Sequence, residues 1–175
     1  MEKDYTIQEH VHRYACWTAA RAASISRFSN NEISQFILEN DLRNDLDKIR
    51  KEEITSDEYK KWFVEATESI YTSMKHYVDT RDEKLFRNIS FGIAAKVVSI
   101  YVKTSEIIPS GGLSPISKVA IPPVDSYLLK GLKIKTKPWS TLNKEEYMTL
   151  VHDLEERVQG EPFWKLEFYW NLSNQ

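Results

Sequence analysis

Lys96 is the one charged residue in an otherwise apolar stretch of the chain. The stretch covers residues 92 to 102 and reads Gly-Ile-Ala-Ala-Lys-Val-Val-Ser-Ile-Tyr-Val. An ammonium group is rarely buried without a partner, because its removal from water is unfavourable. A neutral lysine amine can attack a carbonyl-like carbon and form a Schiff base. Lys96 is therefore a candidate nucleophile, and the alternative is a lysine whose head group reaches water past its apolar neighbours.

Asp125 follows Pro122-Pro123-Val124, a sequence that ends one element and suits the start of a new helix. A carboxylate at a helix N-terminus accepts hydrogen bonds from free backbone N–H groups and is stabilised by the helix dipole. Once fixed in this way, the carboxylate can stabilise a cationic centre during a reaction. The alternative is that Asp125 only caps the helix, which is a common role of aspartate.

Together, these residues and their neighbours resemble the core of the helix-hairpin-helix DNA glycosylases. The pattern of that family is glycine, an apolar residue, glycine, any residue and lysine, then an apolar helix, then Pro-Val-Asp at the start of the next helix. This chain has Gly92-Ile93-Ala94-Ala95-Lys96 and, later, Pro123-Val124-Asp125. The resemblance covers about residues 83–130, and the long segment between the lysine and the aspartate is similar to that of archaeal 8-oxoguanine glycosylases.

The resemblance implies a DNA base-excision activity in which Lys96 is the nucleophile at C1′ of the sugar. It implies that Asp125 promotes loss of a damaged base, which is turned out of the DNA duplex. It also implies that the backbone N–H groups of Gly92 and Ala94 approach a DNA phosphate, with alanine here in place of the second glycine of the family. We therefore expect DNA as the partner of this protein.

Four lysines that follow Asp125 form a candidate surface for the DNA backbone: Lys130, Lys133, Lys135 and Lys137. The whole chain has 24 Lys and Arg and 26 Asp and Glu, so binding to DNA would depend on a local basic patch. Lysine side chains bind phosphates without reading the base sequence. We select Lys130 and Lys133 as candidate phosphate contacts, and the alternative is a solvated lysine surface with no ligand.

The remaining chemistry-bearing residues do not form a recognisable metal or cofactor site. His12 and Cys16 are four residues apart and share one face of a helix, but two ligands do not make a zinc site. We therefore expect no metal ion and no cofactor. Cys16 is the single cysteine of the chain, so an intrachain disulfide is excluded and a reducing, cytoplasmic location is favoured.

Helical patterns account for most of the remaining sequence. Capping boxes begin at Thr6, Thr55 and Asn143, and apolar residues at helical spacing follow each of them. They predict helices over about residues 7–27, 56–77 and 144–158. Shorter helices are predicted after a cap at Asn30 or Asn31 and over about residues 42–51, and a buried helix is predicted over residues 91–102.

The length and composition of the chain are those of a single globular domain. It has 175 residues, of which 41% are apolar, with 5 Gly and 6 Pro, and this composition excludes collagen-like and globally disordered chains. No run of apolar residues approaches the roughly 18 that a membrane span needs, and the N-terminus lacks the apolar core of a signal peptide. We expect one all-α domain over residues 1–175, with about seven or eight helices.

The alternative to an enzyme is a non-catalytic helical protein that binds other proteins. In that case Lys96 pairs with an acidic residue, Asp125 caps a helix, and the aromatic residues after Pro162 pack on the core or on a partner. A pocket shared by Lys96 and Asp125 would favour the enzyme, whereas side chains that open on opposite surfaces would favour the binding protein.

Overall fold

The computed structural model describes residues 5–23, 28–50, 53–80 and 89–170, and the regular secondary structure in these ranges is entirely helical. The α-helices are α1 (Ile7–Ala23), α2 (Asn30–Glu39), α3 (Leu42–Ile49), α4 (Ser56–Asp79), α5 (Phe91–Val102), α6 (Pro115–Val119), α7 (Ser126–Gly131) and α8 (Lys144–Val158). A π-helical turn (Lys103–Ile107) continues α5, and 3-10 segments cover Trp139–Thr141 and Phe163–Tyr169. The prediction of an all-α fold is confirmed. None of the described helices is long and apolar enough to cross a lipid bilayer.

Side-chain caps determine where several helices begin. Thr55 and Asn143 each accept a hydrogen bond from the backbone N–H three residues later, and the glutamate at that position bonds back to the cap. The capping boxes predicted for α4 and α8 are therefore confirmed. The predicted cap of α2 is wrong, because Ser29 rather than Asn30 or Asn31 occupies that position. Ser29 sits outside the helix with an extended backbone, which lets its hydroxyl reach back to the first turn.

The α1 and α5 helices pack against each other. Hydrogen bonds connect His12 with Tyr101, at 2.8 Å, and Thr18 with Thr104, at 3.0 Å. Residues 24–27, which the sequence assigned to the end of the first helix, lie outside the described residues. Short side chains allow neighbouring helices to approach closely, and three alanines of α1 are completely buried: Ala15, Ala19 and Ala20.

The α5 helix is the most deeply buried element of the fold. Every residue from Phe91 to Val102 except Ile100 is buried, so the predicted buried helix is confirmed. The π-helical turn follows without a break, and its wider hydrogen bond joins the N–H of Ile108 to the carbonyl of Lys103 at 3.0 Å. Glu106, in this turn, forms a 2.7 Å ion pair with Arg50 at the end of α3.

Gly92 allows the 3-10 segment Trp139–Thr141 to pack directly against the first turn of α5. The N–H of Gly92 donates to the carbonyl of Leu142 at 3.1 Å. A Cβ atom at Gly92 would lie only 2.0 Å from the carbonyl oxygen of Trp139, which is an impossible contact. The absence of a side chain at Gly92 therefore lets Trp139 approach Lys96, which lies one turn further along α5.

We predict that Gly92→Ala lowers the free energy of unfolding by roughly 1–3 kcal/mol, because the new methyl group overlaps the backbone of Trp139. In an unobstructed helix the same change would raise stability by up to about 1 kcal/mol. Urea denaturation of the two proteins measures the difference. An increase in stability would show that the backbone contact between Gly92 and Trp139 does not form.

Candidate functional site

The amine of Lys96 and the carboxylate of Asp125 meet inside the protein. Lys96 lies in the middle of α5 and Asp125 lies at the start of α7, and Nζ is 3.4 Å from Oδ2. The two side chains are 9% and 10% exposed. The structure therefore brings together the two residues that the sequence singled out for chemistry.

The backbone of α7 fixes the orientation of the Asp125 carboxylate. Its Oδ1 atom accepts hydrogen bonds from the N–H groups of Tyr127 and Leu128, both at 3.0 Å. These are the bonds of a helix cap, so Asp125 caps α7 and also faces Lys96. Because Oδ1 is held by the cap, Oδ2 is the oxygen that points toward the amine.

Two tryptophans enclose the ion pair. The Nζ atom of Lys96 lies 4.6 Å from the ring centre of Trp139, which is a cation–π distance. The indole N–H of Trp170 donates to Oδ2 of Asp125 at 3.0 Å. The ring of Trp170 also packs edge-on against Tyr127, with 5.7 Å between ring centres.

A second ion pair, between Lys103 and Glu167, lies close to the first. Lys103 is two helical turns after Lys96 and so shares its side of the helix, while Glu167 is one 3-10 turn before Trp170. Burial raises the pKa of Glu167, the positive charge of Lys103 opposes this rise, and the negative charge of Asp125 adds to it. Asp125 and Glu167 are therefore close enough for their charges to interact.

The arrangement can transfer a proton and form a bond at Nζ of Lys96. Asp125 is placed to accept a proton from the ammonium group, and the resulting neutral amine is a nucleophile. Where the structure describes the chain, it contains no group of three or more His, Cys, Asp or Glu side chains that could hold a metal ion.

Lys96 and Asp125 do not line the open, shared pocket that would favour an enzyme. A cavity of about 890 Å³ lies nearby, between the π-helical turn, the end of α8 and the 3-10 segment Phe163–Tyr169. Lys103 and Glu167 line this cavity, but Lys96 and Asp125 do not. In the described part of the chain, the ring of Trp139 packs on Lys96 and the indole of Trp170 bonds to Asp125. Lys96 is buried, so a nucleotide reaches Nζ only if side chains around it move.

The expected phosphate contact at Gly92 and Ala94 does not fit the structure. The N–H of Gly92 bonds to the carbonyl of Leu142, and the N–H of Ala94 bonds to the carbonyl of Ser90 at 3.3 Å. Ala94 is also completely buried. The first turn of α5 is therefore satisfied within the fold, and these two residues have no part in the functional proposal below.

Lys130 and Lys133 lie on the surface near the end of α7. An α-helix of six residues is about 9 Å long, so Lys130 is within about that distance of the cap at Asp125. Lys133 shares a surface cavity with Asp153 and Glu156, which makes this surface mixed in charge. A contact of Lys130 and Lys133 with phosphate stays a prediction.

His12 and Cys16 form a buried contact and not an activated thiol. Sγ of Cys16 lies 3.9 Å from Nε2 of His12. Burial, together with the charge of Glu9, raises the pKa of Cys16 to about 11, and burial and nearby Arg43 lower the pKa of His12. Both side chains are therefore neutral near pH 7, so the pair offers no thiolate nucleophile.

Trp139, Trp170 and the pair Lys103–Glu167 are the residues of the site that sequence reasoning missed. Trp139, Glu167 and Trp170 reach the site from segments distant in the chain, so no local spacing marks them. Lys103 lies two helical turns after Lys96, and that spacing is visible in the sequence. For Glu167 and Trp170 the signal was the accumulation of aromatic residues after Pro162, which predicted packing but not a hydrogen bond to Asp125.

Comparisons of the chain with protein-family models, with curated proteins and with solved structures gave no match. The functional argument therefore depends on the geometry of the site.

We predict that Lys96 and Asp125 are energetically coupled. Removing one member of a buried ion pair typically costs about 3–5 kcal/mol, because the other charge is left without its partner. The loss of stability in Lys96→Met/Asp125→Asn is therefore expected to be smaller, by roughly 1–3 kcal/mol, than the sum of the two single losses. Urea denaturation of the four proteins at pH 7 measures this. Effects that add to within about 0.5 kcal/mol would contradict the coupling.

Proposed function

We propose that this protein is a DNA glycosylase/lyase that removes a damaged base, with Lys96 as the nucleophile and Asp125 as the helper carboxylate. The observation that supports the proposal is the buried contact between an amine and a carboxylate that come from two different helices. The resemblance of the surrounding sequence to the helix-hairpin-helix glycosylases supports the same assignment.

The pair is better explained by chemistry than by stability. A buried ion pair adds little net stability compared with apolar residues of the same size, since both charges must leave water. Its value lies in a fixed geometry, which general acid–base catalysis requires. Here Oδ1 of Asp125 is held by two backbone N–H groups, so Oδ2 keeps its position beside Lys96.

The proposed reaction begins when Oδ2 of Asp125 accepts a proton from the Lys96 ammonium group. The neutral Nζ atom attacks C1′ of the turned-out nucleotide, and the bond from C1′ to the base breaks. The electron pair of that bond leaves with the base, which takes the proton from Asp125. Nζ then carries two hydrogens and a positive charge. Asp125 moves one of these protons to the ring oxygen, the bond from C1′ to that oxygen breaks, and the nitrogen electron pair forms the C=N bond of a protonated Schiff base between C1′ and Lys96.

The same proposal includes the partner and the location of the protein. The partner is DNA, held in part by phosphate contacts with Lys130 and Lys133, which are exposed near the end of α7. The proposed steps use a proton and an amine of this chain, so the proposal includes no metal ion or cofactor. A reducing, cytoplasmic location belongs to the proposal and is supported by the single, buried Cys16.

A non-catalytic protein-binding module is the second candidate. Phe163 and Leu166 of the aromatic C-terminal segment are buried against the core, as that alternative predicted. Phe168 and Ile108 line the 890 Å³ cavity and are 85% and 61% exposed, and a partner protein could cover such apolar side chains. The two candidates differ in whether Lys96 forms a covalent bond with DNA.

We predict that sodium borohydride traps the wild-type protein on DNA that contains an abasic site, because borohydride reduces the Schiff base to a stable bond. The adduct is expected to disappear in Lys96→Gln and to form about 100-fold more slowly in Asp125→Asn, which cannot accept the proton. Gel electrophoresis under denaturing conditions measures the adduct.

Lys60→Gln is the matched control for this experiment, because Lys60 is a paired, partly buried lysine of α4 whose partner is Glu155 of α8, and neither residue belongs to the site. Its adduct is expected to match that of the wild type. No adduct with the wild-type protein, or an adduct that persists in Lys96→Gln, would contradict the glycosylase/lyase and favour the binding module.

We predict that DNA affinity falls with rising salt concentration and that Lys130→Gln/Lys133→Gln makes this dependence less steep. Two lost phosphate contacts lower the slope of log K against log salt by about 2. The control, Lys48→Gln/Lys61→Gln, removes two lysines that share a cavity on a different surface, between α3 and α4. Fluorescence anisotropy measures the slopes, and equal slopes in the two double variants would exclude the patch after α7.

A further inference from the structure

Among the described residues, Trp139 contacts Lys96 and Trp170 contacts Asp125, and the two tryptophans differ in how deeply they are buried. Trp139 is 7% exposed. Its backbone packs against Gly92, and the neighbouring carbonyl of Ser140 accepts a 2.8 Å hydrogen bond from the Ser90 hydroxyl. Moving Trp139 would therefore disturb the start of α5.

Trp170 is less deeply buried than Trp139 and bonds directly to the site. It is 39% exposed, and it follows the 3-10 segment Phe163–Tyr169 at the end of the described chain. Among the described residues, its indole donates the 3.0 Å hydrogen bond to Oδ2 of Asp125 and packs edge-on against Tyr127. Displacing Trp170 costs one charge-assisted hydrogen bond and the buried part of the indole, but it leaves α5 in place.

Two further contacts position this C-terminal segment over the site. We call residues 163–170 the C-terminal strap. Glu167 of the strap pairs with Lys103. The carbonyl oxygen of Tyr169 packs on Gly131, where a Cβ atom would lie 1.9 Å from it. Only glycine at residue 131 allows the strap to lie so close to the end of α7.

We propose that the C-terminal strap closes the Lys96–Asp125 site, and that Trp170 must leave Asp125 before a substrate can reach the Lys96 amine. The inference rests on the proposed function for the identity of the substrate. Closure of the site by the strap can be tested without that function, because the test concerns only the accessibility of Nζ to a reagent.

The closed strap has a direct effect on the carboxylate. While Trp170 is in place, Oδ2 of Asp125 receives one proton donor from the indole and one from Lys96. When Trp170 leaves, Lys96 is the remaining side-chain donor to Oδ2 among the described residues. Opening therefore exposes the amine and at the same time releases the oxygen that accepts its proton.

The test measures how fast Lys96 reacts with a small reagent in the absence of DNA. Formaldehyde with sodium cyanoborohydride methylates accessible lysine amines, and peptide mass spectrometry gives the rate for each lysine. We expect Trp170→Ala to raise the Lys96 rate about tenfold or more, because the indole no longer covers the amine. Gly131→Ala is expected to have a similar effect without touching the site, because its methyl group displaces the strap at Tyr169.

Two controls separate opening of the strap from general loosening of the protein. Phe168→Ala changes an aromatic residue of the same strap that is 85% exposed, and it is expected to leave the Lys96 rate unchanged. Cys16 is buried in the core, so its alkylation rate reports global unfolding. It is expected to stay at the wild-type value in all variants, and exposed Lys48 serves as the internal reference.

The possible results test closure by the strap separately from the proposed glycosylase/lyase activity. Equal Lys96 rates in the wild type, Trp170→Ala and Gly131→Ala would overturn the strap, even if the wild type forms a borohydride adduct with DNA. Faster Lys96 methylation in both variants, with a constant Cys16 rate, would support the strap even if no protein forms an adduct. A Lys96 rate that rises only together with the Cys16 rate would overturn the strap, because the amine would then be exposed by global unfolding.

Discussion

The buried contact between the Lys96 ammonium group and the Asp125 carboxylate is the constraint around which this structure is built. Two opposite charges inside a protein are tolerated only when their hydrogen-bonding capacity is met. The N-terminus of α7 supplies two N–H groups to Oδ1 of Asp125. Trp139 supplies the face of its ring to Lys96, and Trp170 supplies an N–H group to Oδ2. The start of α7, the segment that carries Trp139 and the segment that carries Trp170 are distant in the chain. All three contact Lys96 or Asp125.

Two glycines make this convergence possible. Gly92 and Gly131 each lie where the backbone carbonyl of another segment comes within about 2 Å of the position that a Cβ atom would take. The first carbonyl belongs to Trp139 itself, and the second belongs to Tyr169, which directly precedes Trp170. Each close approach therefore helps to place one of the two tryptophans beside the pair. Gly92 lies in the first turn of α5 and Gly131 is the last residue of α7, and at both helix ends glycine allows a contact that no other residue allows.

The sequence predicted what depends on local interactions. The capping boxes of α4 and α8, the buried helix α5 and the cap at Asp125 are all set within a few residues. Several features that depend on packing between distant segments were not predicted. The predicted phosphate contact at Gly92 fails because Leu142, from a segment far along the chain, takes its N–H group. Trp170 was not predicted because its hydrogen bond spans 45 residues, beyond the reach of any helical periodicity.

The π-helical turn after α5 has a consequence for how this region can vary. A π turn holds one more residue than an α-helical turn, so every side chain after it is rotated by about 100° relative to an uninterrupted helix. That rotation sets the direction in which Ile108 and the residues after it leave the helix. Deleting a single residue between 103 and 107 would restore a regular helix and rotate the segment that follows by about 100°. Insertion or deletion of one residue in this turn would therefore change the orientation of the segment that follows, without any change in the composition of the core.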